Sequence, residues 1–383
     1  MSTRLAGRRG VLWVVGVVSV LAACGQGDDE PLVPPDPTDT STTAATTTGS
    51  TGAPSTATTA PPGTDPPGTD PPGTSTVESS SAAAETCARR RIDTLATFED
   101  ARLGEISGIA ASRRHPGVVW VVNDGSVDEL VAVGLDGAVV GVHPLHFTAR
   151  HPFDDVEDLA LVGGDDADEL VLADIGDNGA DRETIRIVRV REPDPAHEGP
   201  LDVEIVTFTY PDRPHNAEAL LVDEAFERVV VVTKEQARDD DERLDEFGAT
   251  LPSMVFEGPL RPTAEGRPIE LTLVGSLDTV SLEERTTAPL PHPVSVLGFG
   301  GMPTGGDVSP DGSLIALRTY EAVWVWPREP GETVAASLLR LDDAVPCQVA
   351  TAVERQGEAV TFVGERLLTI SEGRSPAIHL LAG

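Results

Sequence analysis

The chain has 383 residues, of which 63 are Asp or Glu and 28 are Lys or Arg, so its formal charge at pH 7 is −35. This charge argues against nucleic acid as a partner and against a polybasic mode of membrane attachment, because both need clustered basic residues. Only 4% of the residues are aromatic, whereas the chain has 37 Gly and 32 Pro, which favours many short strands joined by turns over long helices.

The first 23 residues predict a signal peptide. Three arginines form a positively charged start, and residues 11–23 are apolar but too short to span a bilayer comfortably. The segment ends in Leu-Ala-Ala-Cys at residues 21–24, which resembles a bacterial lipobox. The resemblance implies cleavage before Cys24, a diacylglyceryl group on its thiol, and a lipid-anchored protein on the extracytoplasmic side of the cell membrane. The alternative is an ordinary secretory signal that happens to contain a cysteine.

Residues 24–86 predict a disordered linker that begins at the lipidated cysteine. The segment consists mainly of Thr, Ser, Pro, Gly, Ala and Asp, and residues 61–74 repeat Pro-Pro-Gly-Thr-Asp with a period of five. It cannot bury enough apolar surface to repay the loss of chain entropy. We therefore expect a spacer with a reach of roughly 50 Å as a coil, followed by one folded domain at residues 87–383.

The folded domain has the pattern of an all-β protein. Short runs of β-branched and apolar residues alternate with turns rich in Gly, Asp, Asn and Pro. A hexad that mixes polar, small and apolar residues recurs five times, and a turn and a strand-like run follow most of its copies. The five hexads are Glu105–Ala110, Asp155–Ala160, Asn216–Leu221, Thr304–Ser309 and Gln356–Thr361.

The spacing of the hexads predicts a β-propeller. Most intervals are 50 to 61 residues, enough for the three or four strands of one blade. One interval of 88 residues holds either a long loop or a blade that lacks the hexad, so we expect five or six blades. A β-sandwich is the alternative, but it does not explain the repeated hexad.

Two cysteines remain after Cys24 is lipidated. Because the chain is expected to be exported, Cys87 and Cys347 predict a disulfide bond. The bond would connect the first residues of the domain to its last quarter and so reinforce the closure of the ring.

The hexads also predict a group of acids on the propeller axis. The innermost strand of each blade lines the central channel, and residues two apart share a face of the strand. Converging carboxylates recruit cations, and ligands that offer only oxygen favour Ca²⁺. The alternative is a set of carboxylates that cap turns or meet bulk water at the channel mouth. The candidate ligands are Glu105, Asp155, Glu157, Glu218, Asp307 and Glu358.

A second acidic segment, Asp174-Ile-Gly-Asp-Asn-Gly, connects two predicted strands. Asp174 and Asp177 are further candidate Ca²⁺ ligands, although their spacing is not that of an EF-hand, and an Asx-rich turn is the alternative. Three basic residues are candidate anion ligands, with surface cations as the alternative. They are Arg182, Arg318 and Lys234, the only lysine of the chain.

The hexads and turns resemble those of the phytase-like β-propellers, which include proteins named for an esterase-like activity of phytase. The resemblance rests on Glu105-Ile-Ser-Gly-Ile, Val156-Glu-Asp-Leu, Asp174-Ile-Gly-Asp-Asn, Ala217-Glu-Ala-Leu, Ser309-Pro-Asp-Gly and Gly357-Glu-Ala. It implies a fold that in true phytases holds several Ca²⁺ ions together with a cluster of Lys and Arg that binds phosphate.

Two functions follow from these patterns. Because the chain lacks a Gly-x-Ser-x-Gly, a His-Glu-x-x-His or a phosphate-binding Gly-Lys-Ser/Thr motif, the first is binding of a small molecule or protein at the axial face, with Ca²⁺ as the expected cation. The alternative is a Ca²⁺-dependent phosphoester hydrolase, in which the six axial acids hold the metal and the three basic residues neutralise the phosphate.

Overall fold

The computed structural model describes residues 75–125, 129–147, 153–164, 167–197, 199–237, 250–261, 267–287, 298–342 and 345–382. These residues form a five-bladed β-propeller with four antiparallel strands in each blade and two short parallel additions. The predicted propeller is therefore confirmed with five blades, and the sandwich alternative is wrong. Within the described part of the chain, no helix is both long and apolar enough to cross a membrane.

The strands follow one another from the axis outwards in each blade. The chain begins with α1 (Ser75–Ala88) and β1 (Arg91–Thr97). The first blade contains β2 (Ile106–Ala111), β3 (Val118–Asn123), β4 (Glu129–Gly134) and β5 (Val139–His146), and the second contains β6 (Val156–Val162), β7 (Glu169–Asp174), β8 (Ile185–Arg191) and β10 (Glu204–Thr209). The two-residue strand β9 (Leu201–Asp202) pairs with β5 in the first blade.

The third blade contains β11 (Ala217–Asp223), β12 (Arg228–Thr233), β13 (Ser253–Pro259) and β15 (Thr272–Leu277), and β14 (Ile269–Glu270) pairs with β10 in the second blade. After α2 (Thr279–Arg285), the fourth blade contains β16 (Pro303–Val308), β17 (Leu314–Thr319), β18 (Val323–Pro327) and β19 (Cys347–Val349), with α3 (Val334–Leu338) between its last two strands. The fifth blade contains β20 (Gly357–Val363), β21 (Arg366–Ser371), β22 (Ala377–Ala382) and β1.

The ring is closed by strands from both ends of the domain. β1 pairs antiparallel with β22 at the outer edge of the fifth blade, as expected for a first strand that joins the last blade. The predicted disulfide is confirmed, because Cys87 at the end of α1 is bonded to Cys347 in β19, with their Cα atoms 6.1 Å apart. It joins residues 260 apart in sequence, and the chain-entropy model gives a loop of this length on the order of 5 kcal/mol of stabilisation.

Helix α1 differs from the linker prediction, which gave its residues no secondary structure. The sequence Ser-Ser-Ser-Ala-Ala-Ala-Glu within it contains the strongest helix former, alanine, at three successive positions. Ala83 is buried in an apolar cluster shared by the fourth and fifth blades, and the disulfide fixes the end of the helix. Tertiary packing therefore stabilises a helix that its polar composition obscures. The rest of the predicted linker, together with Cys24, lies outside the described residues.

The cores lie between neighbouring blades, which explains the continuous apolar runs of the sequence. Along β3, Val119 and Val121 pack with apolar residues of the fifth blade, whereas Trp120 and Val122 pack with the second blade. A strand that is buried on both faces needs apolar residues at successive positions rather than at alternate ones.

Each inner strand carries a β-bulge at the same place, and the bulges align the five hexads. Four of the hexads begin one residue before the inner strand, as the sequence indicates. In the fourth blade the equivalent residue is Met302, so that hexad runs from Met302 to Asp307 and not from Thr304 to Ser309. The predicted register is wrong there by two residues, because apolar Met302 and Pro303 replace the usual polar start.

Candidate cation site at the axial mouth

Two sets of residues line one end of the propeller axis. The third hexad residues are Ser107, Glu157, Glu218, Thr304 and Glu358. The residues that directly follow the second strand of each blade are Asp124, Ile175, Lys234, Tyr320 and Glu372. In four blades the residue that follows the second strand donates its backbone N–H to the carbonyl of the first hexad residue, at distances of 2.7 to 3.3 Å. These hydrogen bonds bring the two sets together.

We call the charged lining of this end the acid funnel. It is made by seven carboxyl groups, one ammonium group and one phenol that interact with one another. Its members are Glu105, Asp124, Asp155, Glu157, Glu218, Glu358, Glu372, Lys234 and Tyr320.

Three carboxylates of the funnel have the spacing of metal ligands. Asp124, Asp155 and Glu157 each offer an oxygen, and these oxygens all lie within 4.8 Å of one another. Glu157 is only 6% exposed, and no described residue donates a hydrogen bond to it. Gly176 lies against this trio, since a Cβ at that position would overlap carboxylate oxygens of both Glu157 and Asp155. The trio therefore combines closely spaced carboxylate oxygens with a buried glutamate that accepts no hydrogen bond from the described residues.

Burial raises the pKa of six carboxyl groups of the funnel, namely Asp124, Asp155, Glu157, Glu218, Glu358 and Glu372. It raises the pKa of Asp155 to about 7, with a further increase from the neighbouring Asp124. It raises the pKa of Glu358 to about 8, with a further increase from Glu218, and it raises the pKa of Glu157 well above its ordinary value. A cation in the funnel would favour the ionised forms and displace protons.

Lys234 places its ammonium group inside the funnel. Its Nζ donates to Glu218 and to the hydroxyl of Tyr320, and it lies 4.7 Å from the centre of the Tyr320 ring. Burial alone would lower the pKa of Lys234, but the charges of Glu218 and Glu358 outweigh it and raise the pKa well above its ordinary value. The lysine predicted as an anion ligand is therefore paired with a carboxylate.

The acidic segment after β7 forms a bracket beside the trio. Asp174 is fully buried, accepts the backbone N–H of Asp155 at 2.9 Å, and forms ion pairs with Arg182 and Arg186. Asp177 accepts the backbone N–H of Arg182 at 2.8 Å. Asp174 and Asp177 thus hold the loop that brings Gly176 against the trio and do not join it, and Arg182 is engaged in the same bracket.

Two further predicted site residues lie away from both the funnel and the bracket. Asp307, the last residue of its hexad, lies at the opposite end of the inner strands, where it accepts hydrogen bonds from Thr361 and Phe362 and lines a separate cavity of about 700 Å³. Arg318 is buried beneath Gly357 and paired with Glu354.

Sequence reasoning missed Tyr320 and Glu372. Both directly follow the second strand of a blade, as Lys234 does, so Tyr320 is the counterpart of Lys234 and Arg318 lies two residues too early. Burial raises the pKa of Glu372 to about 10, and a hydrogen bond with Glu105 adds to the increase. Once the second strands of the five blades are aligned with one another, the residue after each strand identifies Tyr320 and Glu372.

No protein-family profile and no curated protein sequence matches the chain. Among solved structures, the PQQ-bound aldose sugar dehydrogenase of Streptomyces coelicolor is 13% identical, with 77% of this chain and 99% of that chain covered at a TM-score of 0.39. A protein of unknown function from Bacteroides thetaiotaomicron is 13% identical, with 76% and 74% covered at a TM-score of 0.38. The Cps50 (Swd1) β-propeller domain of Myceliophteria thermophila is 12% identical, with 73% and 84% covered at a TM-score of 0.31. Similarities this distant carry no argument about the function of this chain.

Proposed function

We propose that this chain is a lipid-anchored β-propeller that binds one Ca²⁺ ion in the acid funnel and uses it to hold an oxygen-rich ligand at the axial mouth. The observation that carries the proposal is the trio of Asp124, Asp155 and Glu157, whose oxygens lie within 4.8 Å of one another and whose buried member, Glu157, accepts no hydrogen bond from the described residues. A buried carboxylate needs a donor or a cation, and a cation satisfies all three groups at once.

The donor set favours Ca²⁺ over transition metals. The trio supplies carboxylate oxygens only, which hard cations prefer, and Ca²⁺ accepts six to eight oxygens in a flexible geometry. Three carboxylates leave coordination positions open. Asp124 is exposed at the mouth, so these positions face the side from which a ligand arrives. A small molecule or a protein segment that presents carboxylate, hydroxyl or phosphate oxygens fits this arrangement.

Calorimetric titration of the full-length protein with Ca²⁺ at pH 7 tests the proposal. We expect one ion per chain, and we expect Glu157→Gln to weaken binding at least tenfold because it removes the buried charge of the trio. Glu365→Gln is the matched control, since Glu365 is an exposed glutamate that pairs with Arg89 away from the funnel. Absence of binding at millimolar Ca²⁺, or unchanged binding by the Glu157 variant, would contradict the proposal.

A Ca²⁺-dependent phosphoester hydrolase is the second candidate, because an open coordination position would also hold a reactive water. A hydrolase also needs basic residues that bind the phosphate, and the three candidate residues give this requirement less support. Lys234 is paired with Glu218, Arg182 with Asp174, and Arg318 with Glu354. Chelator-sensitive release of phosphate from phytate or from simple phosphomonoesters would favour the hydrolase, and Ca²⁺ binding without turnover would favour ligand binding.

A further inference from the structure

The funnel already contains one cation that belongs to the protein. The ammonium group of Lys234 is held by the carboxylate of Glu218, by the hydroxyl of Tyr320 and by the face of the Tyr320 ring. The lysine side chain is 13% exposed, and the negative charge of Glu358 also stabilises its charged form. This position therefore has the environment of an occupied cation site.

Five of the seven acids of the funnel fall into two groups by blade, and the other two, Glu105 and Glu372, form a hydrogen bond with each other. The trio of Asp124, Asp155 and Glu157 comes from the first and second blades. Glu218 and Glu358 come from the third and fifth blades, which flank the fourth. The Lys234 ammonium neutralises part of the second group and is ion-paired with Glu218.

We propose that Lys234 is a tethered counter-ion that fills a second cation position beside Glu218 and Tyr320 and thereby limits the funnel to one divalent ion. The inference rests on the proposed function, because it assumes that the trio binds the first ion. On this proposal Lys234 sets the number of divalent ions bound per chain and does not bind an anionic ligand.

The ammonium of Lys234 contacts one carboxylate oxygen and one phenol oxygen, and these hard donors accept a divalent cation as readily as an ammonium. A tethered ammonium loses little entropy on occupying the position, whereas a free ion has to be captured from solution. A second divalent ion would also repel the first across the low-dielectric funnel. Removal of the ammonium takes away the ion-pair partner of Glu218 and opens the position.

Substitution of Lys234 by methionine tests the inference, because methionine keeps a stem of similar length and removes the charge. Calorimetric titration of the full-length protein with Ca²⁺ should give one ion per chain for the wild type and two for Lys234→Met. The double variant Lys234→Met/Glu218→Gln should return to one, since it lacks a ligand of the second position. Arg328→Met is the matched control, because it deletes a buried cation that is paired with Asp223 outside the funnel, and it should bind one ion.

The outcomes separate this inference from the proposed function. One ion bound by both wild type and Lys234→Met would overturn the inference and leave the proposed function intact. No ion bound by the wild type would overturn the proposed function, and the inference with it.

A measurement on the wild type covers the case in which Lys234→Met does not fold. Because the chain has a single lysine, ¹⁵N-lysine labelling gives one side-chain ammonium signal. We expect this signal to be protected from exchange at pH 7 and to stay protected when Ca²⁺ saturates the protein. Loss of protection on Ca²⁺ binding would show that the ion displaces the ammonium, and it would overturn the inference.

Discussion

At the scale of single residues, Asp307 shows how enclosure governs the titration of a carboxyl group in this protein. Burial raises the pKa of Asp307 to about 6, although hydrogen bonds from the backbone of Phe362 and Val308 and from the hydroxyl of Thr361 oppose the increase. Asp307 lies outside the acid funnel, so its effect on stability can be separated from that of cation binding.

We expect Asp307→Asn to reduce the pH dependence of stability. The folded-state pKa of Asp307 lies about two units above the ordinary value, so the folded protein holds a proton that the unfolded chain has lost. The associated stability is present below about pH 4 and is lost as the pH rises through 6, a loss on the order of 3 kcal/mol. Asparagine does not titrate, so the variant should lack this part of the decline.

Urea unfolding at pH 4, 5, 6 and 7, in the presence of chelator, measures the difference between the two proteins. Glu365→Gln is the control, since an exposed glutamate should leave the profile of the wild type unchanged. Parallel profiles for Asp307→Asn and the wild type would show that Asp307 does not titrate in this range.

At the scale of the strands, polar contacts connect neighbouring inner strands around the axis. Ser107 donates to the carbonyl of Val156 at 2.9 Å, and Thr304 donates to the carbonyl of Gly357 at 2.8 Å. Asp158 has no exposed surface and accepts the backbone N–H groups of Leu220 and Gly306 at 2.8 and 2.9 Å. One carboxyl group of the second blade therefore links three inner strands, and the bulge beside it directs it to the axis.

We expect Asp158→Ala to lower the free energy of unfolding by about 2 to 5 kcal/mol, because two buried N–H groups lose their acceptor. Asp158→Asn keeps one carbonyl oxygen and should lie between alanine and the wild type. Chemical denaturation at pH 7 gives all three values. A change below about 0.5 kcal/mol for alanine would show that the inner strands do not depend on this link.

The inner strands also show what the sequence could predict. Hexad spacing placed Glu157, Glu218 and Glu358 on the channel, because the hexads that contain them begin one residue before an inner strand. Hexad spacing could not reveal Asp158, because simple alternation assigns this residue to the other face of the strand. The bulge beside Asp158 turns its side chain towards the axis. Hexad spacing misplaced Asp307 for a related reason, because apolar Met302 conceals the start of the fourth hexad.

At the scale of the whole molecule, the two ends of the propeller domain are fastened together. Residues N-terminal to the domain reach it through α1, whose last turn carries the disulfide to β19, and then through β1, which pairs with β22. Tension applied to the N-terminal segment meets the covalent bond at Cys87 before it reaches the hydrogen bonds of β1. This order suits a domain that is held at a membrane through its N-terminus.

The proposed anchor gives the last prediction. Metabolic labelling of the full-length protein in a bacterial host with an alkyne-tagged fatty acid should mark the wild type, and Cys24→Ser should remove the label because no other residue of the lipobox has a thiol. Cys347→Ser is the matched control, since it removes a disulfide cysteine and should keep the label. The proposed acyl chains would supply the attachment that the charge of −35 opposes, because this charge repels anionic lipid headgroups. An equal label on Cys24→Ser would show that the protein is not anchored through this cysteine. Protease added to intact cells tests the location separately, and resistance of the domain to it would argue against display outside the cell.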